Sequence, residues 1–154
     1  MAFYLSFNVF QEIVIVEEDN KIVRIDLNSN HLDGLIREDT RLLLEAKKQL
    51  IEYFNGSRKH FSLPLKIKGT SFMEKVWGYL QTIPYGKVVT YKDVALAIKH
   101  PKAYRAVGMA CNRNAIPIII PCHRVIGSNN QLIGYASGLD IKAKLLKLEQ
   151  EHLK

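Results

Sequence analysis

Short β-type runs of apolar and aromatic residues fill the first third of the chain. Residues 4–10, 12–16 and 21–27 are rich in Val, Ile and aromatic side chains, which predicts three strands. Glu18-Asp19-Asn20 predicts a hairpin turn between the second and the third. Apolar residues then recur at helical spacing and predict a helix over about residues 39–54, ended by Asn55-Gly56. The polar segment 57–68 predicts a connection to a second module.

From residue 70 onward the apolar spacing becomes helical. Ser71-Phe72-Met73-Glu74 has the pattern of a capping box and predicts the start of a helix. Thr90 can cap a second helix, which we expect to run to about Ile98. A third helix is expected to begin just after Pro101 and to continue to about Cys111. Two short helices so closely joined predict a helix-turn-helix.

The third helix is predicted to have a small, basic outer face. The residues expected on its packed face, at helical spacing, are Ala103, Ala106, Val107 and Ala110. Opposite them lie Lys102, Arg105, Gly108 and Met109. A face of this kind suits a nucleic-acid groove. A solvated face on an ordinary helical pair is the alternative.

These elements predict a mixed α/β (α+β) fold in two modules. Residues 1–65 form a small sheet-plus-helix module, and residues 66–154 form a mainly helical module with the helix-turn-helix. The first module carries 8 Lys/Arg and 10 Asp/Glu, whereas the second carries 14 Lys/Arg and 5 Asp/Glu. The basic second module indicates a polyanionic partner. A generally basic protein without such a partner is the alternative.

Other patterns exclude several classes of protein. No apolar run approaches the roughly 20 residues of a membrane span. The first residues lack the pattern of a secretory signal. The two cysteines, Cys111 and Cys122, argue for a reducing compartment and against a disulfide framework. The five His residues are scattered and no Cys-x-x-Cys pair exists, so we expect no metal. We also expect no membrane partner. We predict a cytoplasmic location.

The most informative chemistry lies at the end of an apolar run. Residues 116–120 predict a buried strand, and Pro121-Cys122-His123 follows it. The thiolate is the reactive form of cysteine, and a neighbouring base favours it. We therefore expect the sulfur of Cys122 to be ionised and presented to a reacting partner. Buried cysteines are more often structural, which is the alternative.

Polar residues elsewhere in the second module can complete a site around Cys122. Asn114 can take part in the site or can cap the preceding helix. A last helix over about residues 140–149 puts Glu149 on its apolar side, where Glu149 can orient His123. Glu149 can instead pair with Lys142 and Lys147 at the surface. The glycine-flanked residues 134–138 predict a mobile flap, or an ordinary loop.

Several motifs follow the order found in one known family. Pro121-Cys122-His123-Arg124-Val125 resembles the active-site signature of the O6-alkylguanine-DNA alkyltransferases, the methylated-DNA–protein-cysteine methyltransferases. The resemblance spans about residues 70–150 and also includes Val76-Trp77, Ile83-Pro84-Tyr85-Gly86, Thr90-Tyr91, Arg105-Ala106-Val107-Gly108, Gly134-Tyr135-Ala136, Leu145-Leu146 and Glu149. The first 60 residues match only in general character.

The resemblance implies an irreversible transfer of an alkyl group from O6-alkylguanine in duplex DNA to Cys122. His123, acting through a water and oriented by Glu149, would take the thiol proton. Tyr91 would donate a hydrogen bond or proton to the leaving guanine. Asn114 would brace the loop that carries the cysteine.

The resemblance also implies how DNA would bind. The helix containing Ala106 and Gly108 would enter the minor groove, and Arg105 would fill the space left by a flipped nucleotide. Further DNA contacts would come from Thr90, Tyr91, Lys102 and Arg113. The guanine pocket would be lined by Cys122, Val125, Tyr135, Ala136 and Ser137. We expect no cofactor and a monomer.

Two residues depart from the family pattern, and two other functions remain open. Tyr104 is bulkier than the residue usual beside the arginine, and Ser137 replaces a frequent glycine in the flap. A non-reacting binder of alkylated bases carries another residue at the cysteine position, so Cys122 argues against that function. A Cys-His hydrolase would need an oxyanion hole that the sequence does not indicate.

Overall fold

The computed structural model describes residues 1–27 and 31–153. The chain forms two compact units, Met1–Ile67 and Lys68–Lys154. The predicted mixture of strands in the first part and helices in the second is confirmed within these units.

The first unit is built on a four-stranded sheet. Its strands are β1 (Ala2–Asn8), β2 (Glu12–Glu18), β3 (Lys21–Asp26) and β4 (Ile36–Arg37), in the order β3-β2-β1-β4. The three long strands pair antiparallel, whereas the short β4, which the sequence did not predict, pairs parallel with β1. The predicted turn between β2 and β3 is confirmed, since Asp19 and Asn20 both adopt positive φ angles, of 55° and 61°.

One helix packs on this sheet. Helix α1 (Arg41–Phe54) begins after Thr40, whose hydroxyl accepts a hydrogen bond of 3.0 Å from the Leu43 amide. Leu43, Ala46 and Leu50 are buried at the predicted helical spacing. The segment that follows the helix, predicted as a connection, also pairs with β3, because the Lys66 amide donates to the Ile22 carbonyl at 2.9 Å.

The second unit is mainly helical. It contains α2 (Ser71–Leu80), α3 (Tyr91–Ala97), α4 (Tyr104–Asn112) and α5 (Leu139–Glu151), with two short strands, β5 (Val89–Thr90) and β6 (Val125–Ile126). Thr90 forms a reciprocal capping box with Asp93, as predicted for the start of α3. The cap of α2 is Thr70 rather than the predicted Ser71, because the Thr70 hydroxyl accepts from the Met73 amide.

The start of α4 differs from the prediction. Pro101 is not in the helix, because the Ala103 amide donates to the His100 carbonyl at 2.9 Å and closes a turn with Pro101 in its second position. The helix therefore begins at Tyr104. Val107 and Ala110 are buried as expected, but Ala106 is exposed and does not belong to the packed face.

The predicted strand before Cys122 is also wrong. Residues 116–120 form turns in which the Ile120 amide donates to the Ile116 carbonyl at 3.0 Å. Ile118 adopts a φ of 73°, which is unusual for a β-branched residue. The three isoleucines at 116, 118 and 120 are buried nonetheless. Burial explains the apolar pattern without a strand, because local bonds satisfy the backbone.

A short parallel pairing brings the site elements together. Val89 in β5 lies opposite Val125 in β6, and Thr90 lies opposite Ile126. The chain that follows Cys122 is thereby held beside the start of α3, where Tyr91 lies. Within residues 1–27 and 31–153, no helix has the length and apolar character needed to cross a membrane.

The core of the first unit makes a testable prediction about two leucines of α1. Leu50 is fully buried, so Leu50→Ala removes apolar contacts and leaves a cavity. We expect the free energy of unfolding, measured by urea denaturation, to fall by about 2–5 kcal/mol. Leu44, which is 47% exposed on the same helix, is the control, and Leu44→Ala should change it by less than about 0.5 kcal/mol. Equal losses would contradict the packing described.

Candidate active site

Cys122 begins a short 3-10 turn, Cys122–Arg124, and its side chain is buried. Its Sγ accepts a hydrogen bond of 3.2 Å from Asn114 Nδ2, which also donates to the Ile120 carbonyl at 2.8 Å. Asn114 Oδ1 accepts from the Ile116 amide at 2.9 Å. One amide side chain therefore links the sulfur to the turns before it. The C-cap of α4 is Arg113, not Asn114.

The resting state of the sulfur differs from the expectation. Burial raises the pKa of Cys122 to about 11, although the Asn114 hydrogen bond and the Lys142 charge act in the opposite direction. The thiol is thus protonated near neutral pH and only 4% exposed. The prediction of an ionised sulfur open to its partner is wrong for this structure. A protonated thiol needs a base before it can attack.

The flap, residues 134–138, and the preceding Ile133 are tied to Tyr91. The Tyr91 hydroxyl donates to the Ile133 carbonyl at 2.8 Å and approaches the Gly134 carbonyl at 3.3 Å. Gly134 has a φ of 62°, and a Cβ there would come within 3.6 Å of the Tyr91 oxygen. Tyr91 therefore anchors the start of the flap.

A cavity of about 370 Å³ lies beside the start of the flap. It is lined by Tyr91, Tyr104, Arg105, Gly108, Met109, Asn112, Ile133 and Gly134. Cys122 is not among its lining residues. The cavity therefore lies between α4 and the flap and does not reach the Cys122 sulfur.

His123 and Glu149 form a buried pair. The distance from His123 Nε2 to Glu149 Oε2 is 2.6 Å, and both side chains are almost fully buried. His123 Nδ1 has no hydrogen-bond partner within the described residues. Of the two alternatives for Glu149, the structure has the pairing with His123. The Glu149 contact at Nε2 orients the imidazole and leaves Nδ1 available to accept a proton.

Arg124 is a second partner of the same carboxylate. Arg124 Nε donates to Glu149 Oε1 at 2.9 Å, and Nη2 donates to Oε2 at 3.0 Å. Arg124 Nη1 donates to the Ile83 carbonyl at 2.7 Å, and the Gly86 amide donates to Glu149 Oε1 at 3.0 Å. The carboxylate thus accepts hydrogen bonds from His123, from the Gly86 amide and, in a forked arrangement, from two nitrogens of Arg124.

These contacts decide the protonation of the pair. Burial would raise the pKa of Glu149, but the bonds and charges of His123 and Arg124 outweigh burial and hold that pKa far below its usual range. Burial lowers the pKa of His123, and it stays lowered although Glu149 opposes the shift. Burial therefore keeps His123 neutral, so the imidazole can accept a proton.

Lys142 is the clearest residue that sequence reasoning misplaced. It is fully buried rather than paired with Glu149 at the surface, whereas Lys147 is exposed. Its Nζ donates to the Ile133 carbonyl at 3.0 Å and lies 3.4 Å from the Tyr91 oxygen. Lys142 lies seven residues, or two helical turns, before Glu149. This spacing places both side chains on one face of α5, the buried face. Arg124 belongs to the Pro121–Val125 motif, but the sequence did not predict its contact with Glu149.

The residues predicted to contact DNA lie on an open face of the second unit. Lys102, Arg105, Ala106 and Arg113 are exposed. Gly108 is half-buried, and a Cβ there would lie 3.9 Å from the Tyr91 ring. Thr90 is half-buried, and its hydroxyl is occupied as the cap of α3.

The residues predicted to line the guanine pocket are spread over β6 and the flap. Val125 is buried, Tyr135 and Ser137 are half-buried, and Ala136 is exposed. The Tyr135 hydroxyl interacts with the Cys122 sulfur, although it makes no hydrogen bond of normal geometry within the described residues. Tyr135 is therefore a flap residue whose side chain interacts with the thiol.

Both units match known protein domains. Residues 5–67 match the ribonuclease-like domain of 6-O-methylguanine DNA methyltransferase, and residues 71–151 match its DNA binding domain. The chain belongs to the 6-O-methylguanine DNA methyltransferase family. The resemblance predicted from the motifs of the second unit is confirmed, and the match extends to the first unit.

Individual members of the family are similar over most of their length. The constitutive methylated-DNA–protein-cysteine methyltransferase of Bacillus subtilis is 49% identical over 147 residues, which cover 90% of this chain and 89% of that protein. The protein of that name from Methanosarcina barkeri is 56% identical over 117 residues, covering 76% and 74%. A crystal structure of Mycobacterium tuberculosis OGT in complex with DNA has a TM-score of 0.91 at 34% identity, covering 97% and 94%. This similarity confirms the predicted fold class.

The Glu149 network predicts how stability depends on pH. Because the pKa of Glu149 is depressed in the folded state, its contribution is present above about pH 4.3 and is lost as the pH falls below that value. His123 acts in the same direction below about pH 6.5, since only the unfolded state takes up its proton readily. Denaturant titrations from pH 7 to pH 3 should therefore show falling stability.

Glu149→Gln tests this assignment. It leaves the buried Arg124 without its counter-charge, so we expect a loss of about 3–5 kcal/mol at pH 7 and a weaker dependence below pH 5. The control is Glu151→Gln, an exposed carboxylate on the same helix. If both variants unfold alike, the buried network does not stabilise the second unit.

Proposed function

We propose that this protein repairs DNA by transferring the alkyl group of O6-alkylguanine in duplex DNA irreversibly to the Cys122 sulfur. The product thioether is not regenerated, so each molecule reacts once. The single observation that carries the proposal is the buried series Asn114, Cys122, His123 and Glu149 within a chain of this family. The relatives named methylated-DNA–protein-cysteine methyltransferases support the same reaction.

The chemistry begins with removal of the thiol proton. Neutral His123, held at Nε2 by Glu149, takes this proton through a bridging water at its unpaired Nδ1. Glu149 remains ionised and stabilises the imidazolium that forms. The Asn114 amide, which donates to the sulfur, stabilises the thiolate and holds it in place.

The thiolate then displaces guanine from the alkyl carbon. The new S–C bond forms in line as the C–O6 bond breaks, and the electron pair of that bond passes to guanine. Tyr91 donates a hydrogen bond or proton to the leaving base, since neutral guanine leaves more readily than its anion. Solvent then returns the proton held by His123 to the Tyr91 phenolate, so the net result moves one proton to guanine and the alkyl group to Cys122.

The base must leave the DNA helix to reach a buried sulfur. Unstacking costs a few kcal/mol, which an inserted side chain can offset in part. Arg105 projects from the exposed face of α4 beside small residues, and we assign it this role. The small residues Ala106 and Gly108 allow α4 to approach the minor groove closely. Thr90, Lys102 and Arg113 contact the phosphate backbone of the DNA. Binding is expected to weaken with salt.

The flipped guanine would occupy the space now closed by the flap. Val125 would form its buried wall, while Tyr135, Ala136 and Ser137 would cover it from the flap. Tyr91 must give up its bond to the Ile133 carbonyl so that its hydroxyl can face the base. Ser137 in place of a glycine would limit how far the flap opens. Tyr104 lines the cavity beside α4 and would set how closely this helix approaches DNA.

The proposed partner is duplex DNA, and the proposed location is the cytoplasm. The crystal structure of the Mycobacterium tuberculosis relative with DNA supports a DNA partner. We expect a monomer in the cytoplasm, associated with the nucleoid through DNA. The presence of Cys122 argues against a binder that does not react, and the described site offers no reason to favour a hydrolase.

Intact-mass measurement tests the reaction directly. Incubation with a duplex containing one O6-methylguanine should add a single methyl group to the protein, and peptide mapping should place it on Cys122. Cys122→Ser should gain no mass, whereas Cys111→Ser should react like the unaltered protein. Tight binding without mass change would support a non-reacting binder, and repeated turnover would support a hydrolase.

Arg105→Ala tests base flipping. The variant should react with duplex O6-methylguanine at least about tenfold more slowly. Losing about 1.4 kcal/mol of stabilisation of the flipped state lowers the population of that state about tenfold. Its reaction with free O6-benzylguanine should change less than about twofold, since no base is extruded. Equal losses with both substrates would argue against insertion of Arg105.

A further inference from the structure

Lys92 and Tyr104 form a side-chain pair that has no part in the reaction described above. Lys92 is exposed in the first turn of α3, and Tyr104 is the first residue of α4. The ammonium nitrogen of Lys92 lies over the Tyr104 ring, 5.4 Å from its centroid. A cation at this distance is attracted to the face of an aromatic ring. The pair thus connects the two helices of the helix-turn-helix.

Helix stability does not explain the position of Lys92. The first turn of a helix carries partial positive charge, so an anion such as Asp93 is favourable there and a cation is unfavourable. A cation–π contact at an exposed site is weak, and holding a lysine over a ring reduces its rotamer freedom. The pair is better explained by what it presents to solvent, which is a positive charge beside an aromatic ring.

The Tyr104 ring forms one end of a stripe on the outer face of α4. Tyr104, Gly108 and Asn112 follow one another at four-residue spacing, and Arg105 and Met109 lie beside them. All five line the cavity of about 370 Å³ between α4 and the flap. Tyr104 is 37% exposed, so part of its ring is open to a partner. The face of α4 that we assign to the minor groove therefore includes this ring, next to Arg105.

A ring beside an ammonium matches the chemistry of one nucleotide in the DNA backbone. The deoxyribose offers carbon–hydrogen groups that can pack on an aromatic ring, and the phosphate bonded to that sugar attracts a cation. Because Lys92 lies over the Tyr104 ring, it restricts the ring before DNA arrives. Less side-chain freedom is then lost on binding, which favours the complex.

We propose that Lys92 and Tyr104 together bind one nucleotide of the DNA backbone beside the flipped base, with the Tyr104 ring against its deoxyribose and the Lys92 ammonium on its phosphate. This inference rests on the proposed function, because it concerns the same DNA and the same face of α4. Arg105 fills the space that the base leaves, whereas the pair fixes the backbone next to that space.

The two side chains contribute to DNA affinity in ways that salt separates. A lysine that neutralises a phosphate releases counterions, so its contribution falls as the salt concentration rises. An aromatic ring packed on a sugar releases none, so its contribution is the same at each salt concentration. A pair that merely joined α3 to α4 would change the stability of the protein and leave the salt dependence of binding as it is.

The experiment measures affinity for a duplex containing one O6-methylguanine over a range of salt concentrations. Fluorescence anisotropy is used, in a Cys122→Ser background so that no alkyl group is transferred. Lys92→Met should reduce the slope of log affinity against log salt concentration by about one. Lys147, exposed on α5, is the matched control, and Lys147→Met should leave affinity and slope unchanged. An unchanged slope in Lys92→Met would overturn the phosphate contact.

The aromatic ring is tested in the same assay. Tyr104→Ala should weaken binding at least about fivefold at every salt concentration, with an unchanged slope, because an aromatic contact to the nucleic acid is lost. Tyr104→Phe retains the ring and should bind like the protein with tyrosine. Equal or tighter binding by Tyr104→Ala would show that the ring obstructs the groove, and it would overturn the proposal.

Folding and chemistry are checked separately, with Cys122 in place. Both side chains are exposed, so thermal unfolding should stay close to that of the unaltered protein. If Tyr104→Ala unfolds at a lower temperature, Tyr104→Leu carries the same test. Neither change should slow the reaction with free O6-benzylguanine more than about twofold, because that substrate has no backbone. If the unaltered protein gains no methyl group from the duplex, the proposed function fails. If it reacts and both variants bind the duplex unchanged, only the inference fails.

A double-mutant cycle tests whether the two residues act as a pair. Lys92→Met should weaken duplex binding at least about twofold more with Tyr104 present than in a Tyr104→Ala background, because no ring then remains to be held. Additive effects would show that the two side chains meet the DNA independently, and they would overturn the pair.

Discussion

The second unit depends on a single ionised carboxylate in its interior. Glu149 receives the imidazole of His123, two donors of Arg124 and the amide of Gly86. These partners come from two separate stretches of sequence, so the carboxylate joins the last helix to the cysteine turn and to the turn after α2. A buried charge without such partners would be expelled or neutralised. The same contacts that stabilise the unit orient the imidazole, whereas burial keeps it neutral.

The site follows from how short elements are joined. The two-residue pairing of β5 with β6 sets Tyr91 beside the cysteine turn, and Asn114 ties that turn to the end of α4. Irregular backbone at residues 116–120 is tolerated because local turns and one amide satisfy its polar groups. The reactive atom is therefore placed by turns and side-chain hydrogen bonds rather than by a strand. The exposed face of α4 carries the groups that would meet DNA.

The sequence predicts well where one local rule decides the outcome. Helix α1, the Thr90 cap and the inward position of Glu149 follow from apolar spacing and capping chemistry. A run of buried isoleucines does not distinguish a strand from a series of turns, so the predicted strand before Cys122 was wrong. Arg124 and Lys142 were given no buried role, because long cations normally reach solvent and only the tertiary fold supplies their acceptors. The protonated state of Cys122 likewise depends on burial that no motif reveals.

The covered, protonated thiol has a consequence for the lifetime of a protein that works once. Small electrophiles and oxidants react with thiolates, so a sulfur kept neutral and shielded is a poor target for them. In the proposed reaction, the sulfur becomes nucleophilic once a damaged guanine has displaced its cover and His123 has taken its proton. Each molecule can therefore wait in a cell full of reactive metabolites without being consumed by chance.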